Sequence, residues 1–156
     1  MASVRPDLVA SVTSVAGVNK GSKVADILAG TIPNTSGALG TALASLIGII
    51  SGNQGLPQNA GAALASLSSA GSLAFNSRHP QGVPTTACGE GAYQERGVHY
   101  FSWSGAQPYT NALDVGDPAL AAISLAFGGA KNDGLVSSCS SHLGKVIRDR
   151  RGSGRN

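Results

Sequence analysis

Val98-His99-Tyr100-Phe101-Ser102-Trp103-Ser104 decides the fold of this chain. Seven residues rich in β-branched and aromatic side chains, stopped at Gly105, read as a strand. Working outward, Leu8 to Val15 is a second β-branched run, ended at Gly17, and is expected as a buried strand. Leu143 to Ile147 is expected as a last strand. Between them lie helical signals. Ser22 is placed to cap a short helix through Ile27 and Leu28, stopped at Gly30. Ala60 to Phe75 reads as one helix with Leu64, Leu67 and Phe75 as buried anchors. Asp117-Pro118 starts another that runs to Phe127 and breaks at Gly128-Gly129, with Pro at the first helical position. Strand, helices, strand, helix, loop, strand is the order of an α/β architecture with a parallel sheet flanked by helices. About three strands are few for a sheet covered on both faces.

Composition narrows the class. The chain has 156 residues, 42% hydrophobic, enough for one domain with a core. Charged residues are only 12%, against roughly 25% in ordinary domains. The net charge of +3 is local, because Arg148, Arg150, Arg151 and Arg155 crowd the C-terminal end. That tail has no aromatic interleaving and no binding fold behind it, so no nucleic-acid partner is expected. No charged side chain occurs from Ile27 to Ser77, 51 residues. Within that stretch Leu39, Leu43, Leu46 and Ile50 recur at helical spacing, widened by Ala42, Ile47 and Ile49. The stripe suits a core helix, or a lid that packs on the body when closed and rests on lipid when open. The apolar run from Ala38 to Ile50 is too short to span a bilayer. No signal peptide is read, since Met1 to Arg5 leads into Pro6 with no apolar segment.

The chemistry-bearing residues are few. Cys88 and Cys139 have neither CxxC spacing nor a histidine pattern, which argues against zinc. A disulfide fits only an oxidising compartment. A hydrolase nucleophile on a strand-turn-helix elbow needs G-x-S-x-G. The two glycine pairs four apart centre on Asn19 and Ile50, neither a nucleophile. His79 precedes a proline and reads as solvated; His99 reads as packed beside the sheet. His142 lies nine positions from Asp133, too close in a compact loop for a convincing base. Asp133, in the turn sequence Asn132-Asp133-Gly134, reads either as a plain turn residue or as a carboxylate that orients a histidine. Asp114 is a candidate oxygen ligand for calcium, though one carboxylate makes no site, and Asp117 reads equally as a helix cap.

Several segments together resemble one family. Arg5-Pro6-Asp7-Leu8-Val9-Ala10-Ser11, Pro80-Gln81-Gly82-Val83-Pro84-Thr85, Ala87-Cys88-Gly89-Glu90-Gly91-Ala92-Tyr93, Tyr100-Phe101-Ser102-Trp103-Ser104-Gly105, Leu113-Asp114-Val115, Asn132-Asp133-Gly134-Leu135-Val136 and Cys139-Ser140-Ser141-His142-Leu143-Gly144 are similar, in order and spacing, to the Pseudomonas-type secreted triacylglycerol lipases, whose folding needs a dedicated foldase. The resemblance runs from about Val4 to Asp149. It implies a partial α/β-hydrolase fold over residues 1–149, with a lid at about 34–56, and ester hydrolysis of acylglycerols at a lipid–water interface. It implies that Asp133 is the triad acid and that Cys88 and Cys139 form a disulfide bracing its loop. Asp114 is then one ligand of a structural calcium, and His142 is not the catalytic histidine. It also implies secretion and a foldase partner.

The departures carry equal weight. The family's Gly-His-Ser-x-Gly-Gly elbow, its oxyanion loop and its Asn-His-Leu-Asp segment, which supplies the catalytic histidine and a second calcium carboxylate, have no match here. Gly17-Val18-Asn19 replaces a frequent Pro-His and is read as tolerated variation. Residues 150–156 diverge into a basic tail, expected to be disordered, with the Arg/Gly/Ser bias of out-of-frame GC-rich DNA. A frameshift or partly read gene is the hypothesis, and resequencing the flanking DNA tests it. The expectation is a lipase fragment without activity of its own. The alternatives are a non-catalytic remnant that binds lipid surfaces or the foldase, and an unfolded pseudogene product.

Overall fold

The central strand of the sheet alternates as a strand covered mainly on one face should. In the computed structural model, which describes residues 1–30, 60–109 and 117–148, Val98, Tyr100 and Ser102 are buried and point to one side of β3 (Val98–Trp103). His99 and Phe101 lie half-buried on the other side, under the ring of Tyr93, at centroid distances of 5.0 and 5.4 Å. The expected lid helix at Leu39–Ile50, Asp114 and the tail 150–156 lie outside the described residues.

β1 (Ser11–Val15) runs parallel to β3 in the register Ser11↔His99 to Val15↔Trp103. The expected buried strand from Leu8 is corrected in two ways. Pro6–Leu8 forms a 3-10 turn, and no residue of β1 is buried, because the described elements leave its Ser11, Thr13 and Val15 side uncovered. α1 (Lys23–Leu28) follows as expected: Ser22 Oγ accepts the Val24 N–H at 3.2 Å, and the chain turns out at Gly30.

The single helix expected over Ala60–Phe75 is two, α2 (Ala60–Leu67) and α3 (Ser69–Arg78). Ser68 is extended between them, and its hydroxyl caps α3 by accepting the Gly71 N–H at 3.0 Å. The break has a second, distant cause. The Asp26 carboxylate on α1 accepts the Ser69 N–H at 2.8 Å and the Ser69 hydroxyl at 2.6 Å, so an α1 side chain satisfies the first donors of α3. The new helix axis defeats the expected anchors. Leu64 is half-buried, while Leu67 and Phe75 are exposed, Phe75 against the ring of His79.

β2 (Gln94–Glu95) pairs antiparallel with the start of β3. This hairpin is not among the strands expected from the sequence. Its turn, Arg96-Gly97, has φ of +51° and +82°, the pattern of a two-residue I′ turn that ordinarily announces itself as Asn-Gly. α4 (Asp117–Ser124) continues into a 3-10 turn over Leu125–Phe127 and ends at Gly128 in the left-handed region, close to expectation. β4 (Lys145–Arg148) runs parallel to β3 from Phe101↔Lys145, on the same edge as β2. It begins later than Leu143 because the Leu143 N–H is taken by Ser102 Oγ at 2.9 Å. Four strands are therefore described, three of them parallel. The helical layer centres on Val24, Ile123 and Phe127, with Ile27, Leu120 and Leu135 packed around them.

Three chain segments cross tightly beside Tyr100. The Gly144 N–H donates to the Gly82 carbonyl at 2.6 Å, and the Gly91 N–H to the Gly144 carbonyl at 2.9 Å. A Cβ at Gly91 would stand 1.9 Å from the Gly82 carbonyl oxygen, and backbone atoms cannot yield that distance locally. Gly91→Ala is expected to cost about 1–3 kcal/mol or more, as overpacking does. A urea unfolding midpoint equal to that of the unsubstituted chain would refute the crossing.

Candidate functional site

Asn132-Asp133-Gly134 folds into a closed turn whose carboxylate is both anchored and available. Asp133 Oδ1 accepts the Leu135 N–H at 2.9 Å and the Val136 N–H at 2.7 Å. The Asp133 N–H donates to the Val136 carbonyl at 3.2 Å, and Asn132 bridges Ser137 across the turn. Buried Asn132 locks the base: its Oδ1 accepts the Gly134 N–H, and its Nδ2 donates to the Ala130 carbonyl, both at 2.8 Å. Both side-chain bonds of Asp133 among the described residues thus fall on Oδ1, and none falls on Oδ2. The residue is half-buried.

The loop's position follows from three contacts. Ser138 Oγ donates to the Gly105 carbonyl at 3.1 Å, and a Cβ at Gly105 would lie 3.4 Å from the Asp133 Cβ. Ser22 Oγ donates to the Leu135 carbonyl at 2.6 Å. Gly105 follows the end of β3, so Asp133 stands at the carboxyl end of the central parallel strand. That is where open α/β sheets place their ligands.

The disulfide between Cys88 and Cys139 is formed, with Cα atoms 4.5 Å apart, inside the range such a bridge requires. Cys139 belongs to the 3-10 turn Ser138–Ser141 that follows the Asp133 turn. The bridge ties that turn to the segment around Thr86 and Ala87, whose carbonyls accept from Lys20 Nζ at 3.3 and 2.7 Å. Partial burial there lowers the Lys20 ammonium pKa below its ordinary value.

Asn19 is the residue whose part was not legible. Its Nδ2 donates to Ser14 Oγ and to the Ser141 carbonyl, each at 2.8 Å, and its own carbonyl accepts from Asn76. Next to it, the Lys20 N–H donates to the Ser140 carbonyl at 3.0 Å, and Ser140 Oγ donates to the Gly21 carbonyl. The loop after β1 is therefore bonded to the turn after Asp133. A polar residue in a Gly-Val-Asn-Lys loop carries no sign of partners some 120 positions away.

The side-chain hydrogen bonds described for Asp133 go to backbone amides, not to a histidine. His142 is buried, with Nδ1 3.0 Å from the Gly89 carbonyl. His79 is half-buried against Phe75 rather than solvated as expected, and His99 lies beside the sheet under Tyr93. Among the described residues no group of three His, Cys, Asp or Glu is placed to hold a metal ion, and none of the helices is long and apolar enough to cross a membrane.

The described fold and loop define an α/β domain with a parallel-stranded sheet and an acid at its strand ends. Comparison with known proteins gives the kinship. No family model matches the chain. It is 56% identical over 155 residues to a triacylglycerol lipase of Vibrio cholerae, covering 96% of this chain and 49% of that protein. It is 41% identical over 167 residues to a triacylglycerol lipase of Pseudomonas fragi, covering 95% and 55%, and 32% identical over 183 residues to one of Burkholderia plantarii, covering 94% and 51%. This chain is a homologue of part of a triacylglycerol lipase, and it spans about half the length of the curated relatives it matches.

Proposed function

We propose that this chain is the acid-bearing segment of a secreted triacylglycerol lipase with the α/β-hydrolase fold. Asp133 is its catalytic acid. The observation that carries the reading is the Asp133 turn: Oδ1 is consumed by the loop's own amides, and Oδ2 is left at the strand end to accept a histidine N–H. In acyl transfer such a carboxylate holds the imidazole in the tautomer that takes the serine proton, and then stabilises the imidazolium. This sequence has no G-x-S-x-G, and the side-chain bonds described for Asp133 go to Leu135 and Val136, so in this reading another part of the lipase supplies the serine and the histidine. Kinship to lipases supports acylglycerols as substrates, a lipid–water interface as the working surface and a folding partner of the foldase type. The disulfide supports an oxidising, extracellular destination. The lid at about 34–56 rests on the spacing of Leu39, Leu43, Leu46 and Ile50 together with the family resemblance.

Two preparations test the reading. The chain alone is expected to release no fatty acid from emulsified triacylglycerol. A chimera in which this chain replaces the matching half of the Vibrio cholerae relative is expected to be an active lipase. Turnover by the chain alone, or a folded chimera without activity, would count against the assignment.

Asp114 is proposed as one carboxylate ligand of a structural calcium, which would brace the site and take no part in bond making. In the chimera, added calcium is expected to raise the melting temperature, as binding to the folded state must. Asp114→Asn is expected to abolish that rise. A rise that survives the substitution would remove Asp114 from the site.

A further inference from the structure

Asp133-Gly134 is the only Asp-Gly pair in the sequence, which holds no Asn-Gly. An aspartate before glycine is prone to isomerise, because glycine has no side chain to shield its amide nitrogen. The reaction is internal. Gly134 N attacks Cγ of the neutral Asp133 carboxyl. An N–Cγ bond forms, and the carboxyl hydroxyl leaves with the amide proton as water, giving a succinimide. Water then adds to the Asp133 main-chain carbonyl carbon and breaks its bond to Gly134 N. The product is isoaspartate, with the main chain running through Cγ; addition at Cγ instead restores aspartate. One water leaves and one enters, so no other reactant is needed.

The fold demands the glycine. Gly134 has φ of +99°, and a Cβ there would stand 2.7 Å from Leu120 Cβ and 3.1 Å from Leu120 Cα. Leu120 packs against the helical core, so it has little freedom to yield. A larger residue, which would shield the amide, therefore does not fit. The same turn restrains both reacting groups. The Gly134 N–H donates to Asn132 Oδ1 at 2.8 Å, and Asp133 Oδ1 accepts from Leu135 and Val136. Attack requires the Gly134 bond to break and the carboxyl to turn away from its two amides. Asn132 and Gly134 are buried, and Asn132 Nδ2 is itself held by the Ala130 carbonyl. Isomerisation must then proceed from the opened turn, at a rate reduced by the opening equilibrium.

We propose that Asp133-Gly134 is a latent isoaspartate site, held unreactive by the Asn132 side chain and modified when the turn opens. Isoaspartate lengthens the main chain by one carbon and shortens the arm of the carboxylate by one. Such a carboxylate cannot close the turn on Leu135 and Val136 as the native one does. The modification is independent of the catalytic reading; only its effect on lipase activity rests on that reading.

The test incubates the full chain at neutral pH in water enriched in heavy oxygen, with and without urea. After reduction and trypsin, the peptide spanning 132–145 is weighed and treated with isoaspartate methyltransferase. Each passage through the succinimide adds one heavy oxygen, and the methyltransferase labels isoaspartate. Uptake is expected to be at least tenfold slower in the native chain than in urea. Asn132→Ala, under native conditions, is expected to speed uptake at least tenfold. Asn132→Asp keeps an oxygen for the Gly134 N–H and loses only the donor to Ala130, so its rate is expected to stay near that of the unsubstituted chain. Cooperative urea unfolding shows whether each variant is folded. Hydrogen exchange of the Gly134 amide needs no variant and is expected to show protection. No uptake in urea overturns the site. Equal uptake with and without urea, a Gly134 amide that exchanges at the unfolded rate, or a folded Asn132→Ala as slow as the parent overturns the guard. In the chimera with the Vibrio cholerae relative, fatty-acid release is expected to fall in proportion to isoaspartate formed. A modified chimera with full activity upholds the site and counts against the catalytic reading.

Discussion

Asp133→Asn, in the chimera with the Vibrio cholerae relative, is expected to lower kcat by about 10⁴-fold while leaving the loop folded. The two halves of that expectation come from different oxygens. Oδ1 accepts from Leu135 and Val136, and an asparagine carbonyl accepts the same two bonds, so the turn keeps its closure. Oδ2 becomes an amide nitrogen, which donates where a histidine N–H also donates. The imidazole is then held in the wrong tautomer and its cationic form is unsupported. Asp133→Ala removes both sets of contacts. It should combine the kinetic loss with a stability loss of about 1–3 kcal/mol, since two buried-side amides lose their acceptor. The pair separates catalysis from architecture. Near-normal kcat in Asp133→Asn, with an intact disulfide and an unchanged unfolding midpoint, would show that the residue serves the turn alone.

The second large effect belongs to the disulfide. Replacing Cys88 and Cys139 together by alanine is expected to cost about 2–5 kcal/mol, with about 4 kcal/mol expected from loop entropy at a separation of 51 residues. Folded domains have only about 5–15 kcal/mol in hand. The described helical core is small, centred on Val24, Ile123 and Phe127. The loss is therefore a large share of what this chain possesses. What remains across the same seam is polar: Lys20 on the Thr86 and Ala87 carbonyls, and His142 on the Gly89 carbonyl. Urea unfolding followed by circular dichroism, with and without reductant, measures the effect. Equal midpoints for oxidised and reduced chain would mean the bridge constrains nothing the fold does not already hold.

How much was legible depended on how far away the deciding partner stood. The Ser22 cap, the stop at Gly30, the β3 strand and the end of α4 at Gly128 are each governed by neighbours within a few residues, and each agrees with the structure. The Arg96-Gly97 hairpin is local too, but arginine at positive φ is an uncommon turn residue, so its signal is faint. The break at Ser68 could not be read, because the Asp26 carboxylate that helps stabilise it lies 43 positions upstream of its partner Ser69. Nor could the part of Asn19, whose partners include Ser141, 122 positions on.

The site divides in the same way. By itself the sequence determined that Asn132-Asp133-Gly134 is a turn, that the outlying strands run parallel through long crossovers, and that lipase kinship spans nearly the whole chain. Short-range hydrogen bonding and side-chain periodicity act over a few residues and leave their mark in the order of amino acids. Only the tertiary structure decided that this turn sits at the end of β3, that one carboxylate oxygen is consumed while the other is open among the described residues, and that the described elements leave one side of β1 uncovered. Those properties depend on which surfaces meet across the fold, and the sum of long-range contacts has no signature in any single stretch of chain.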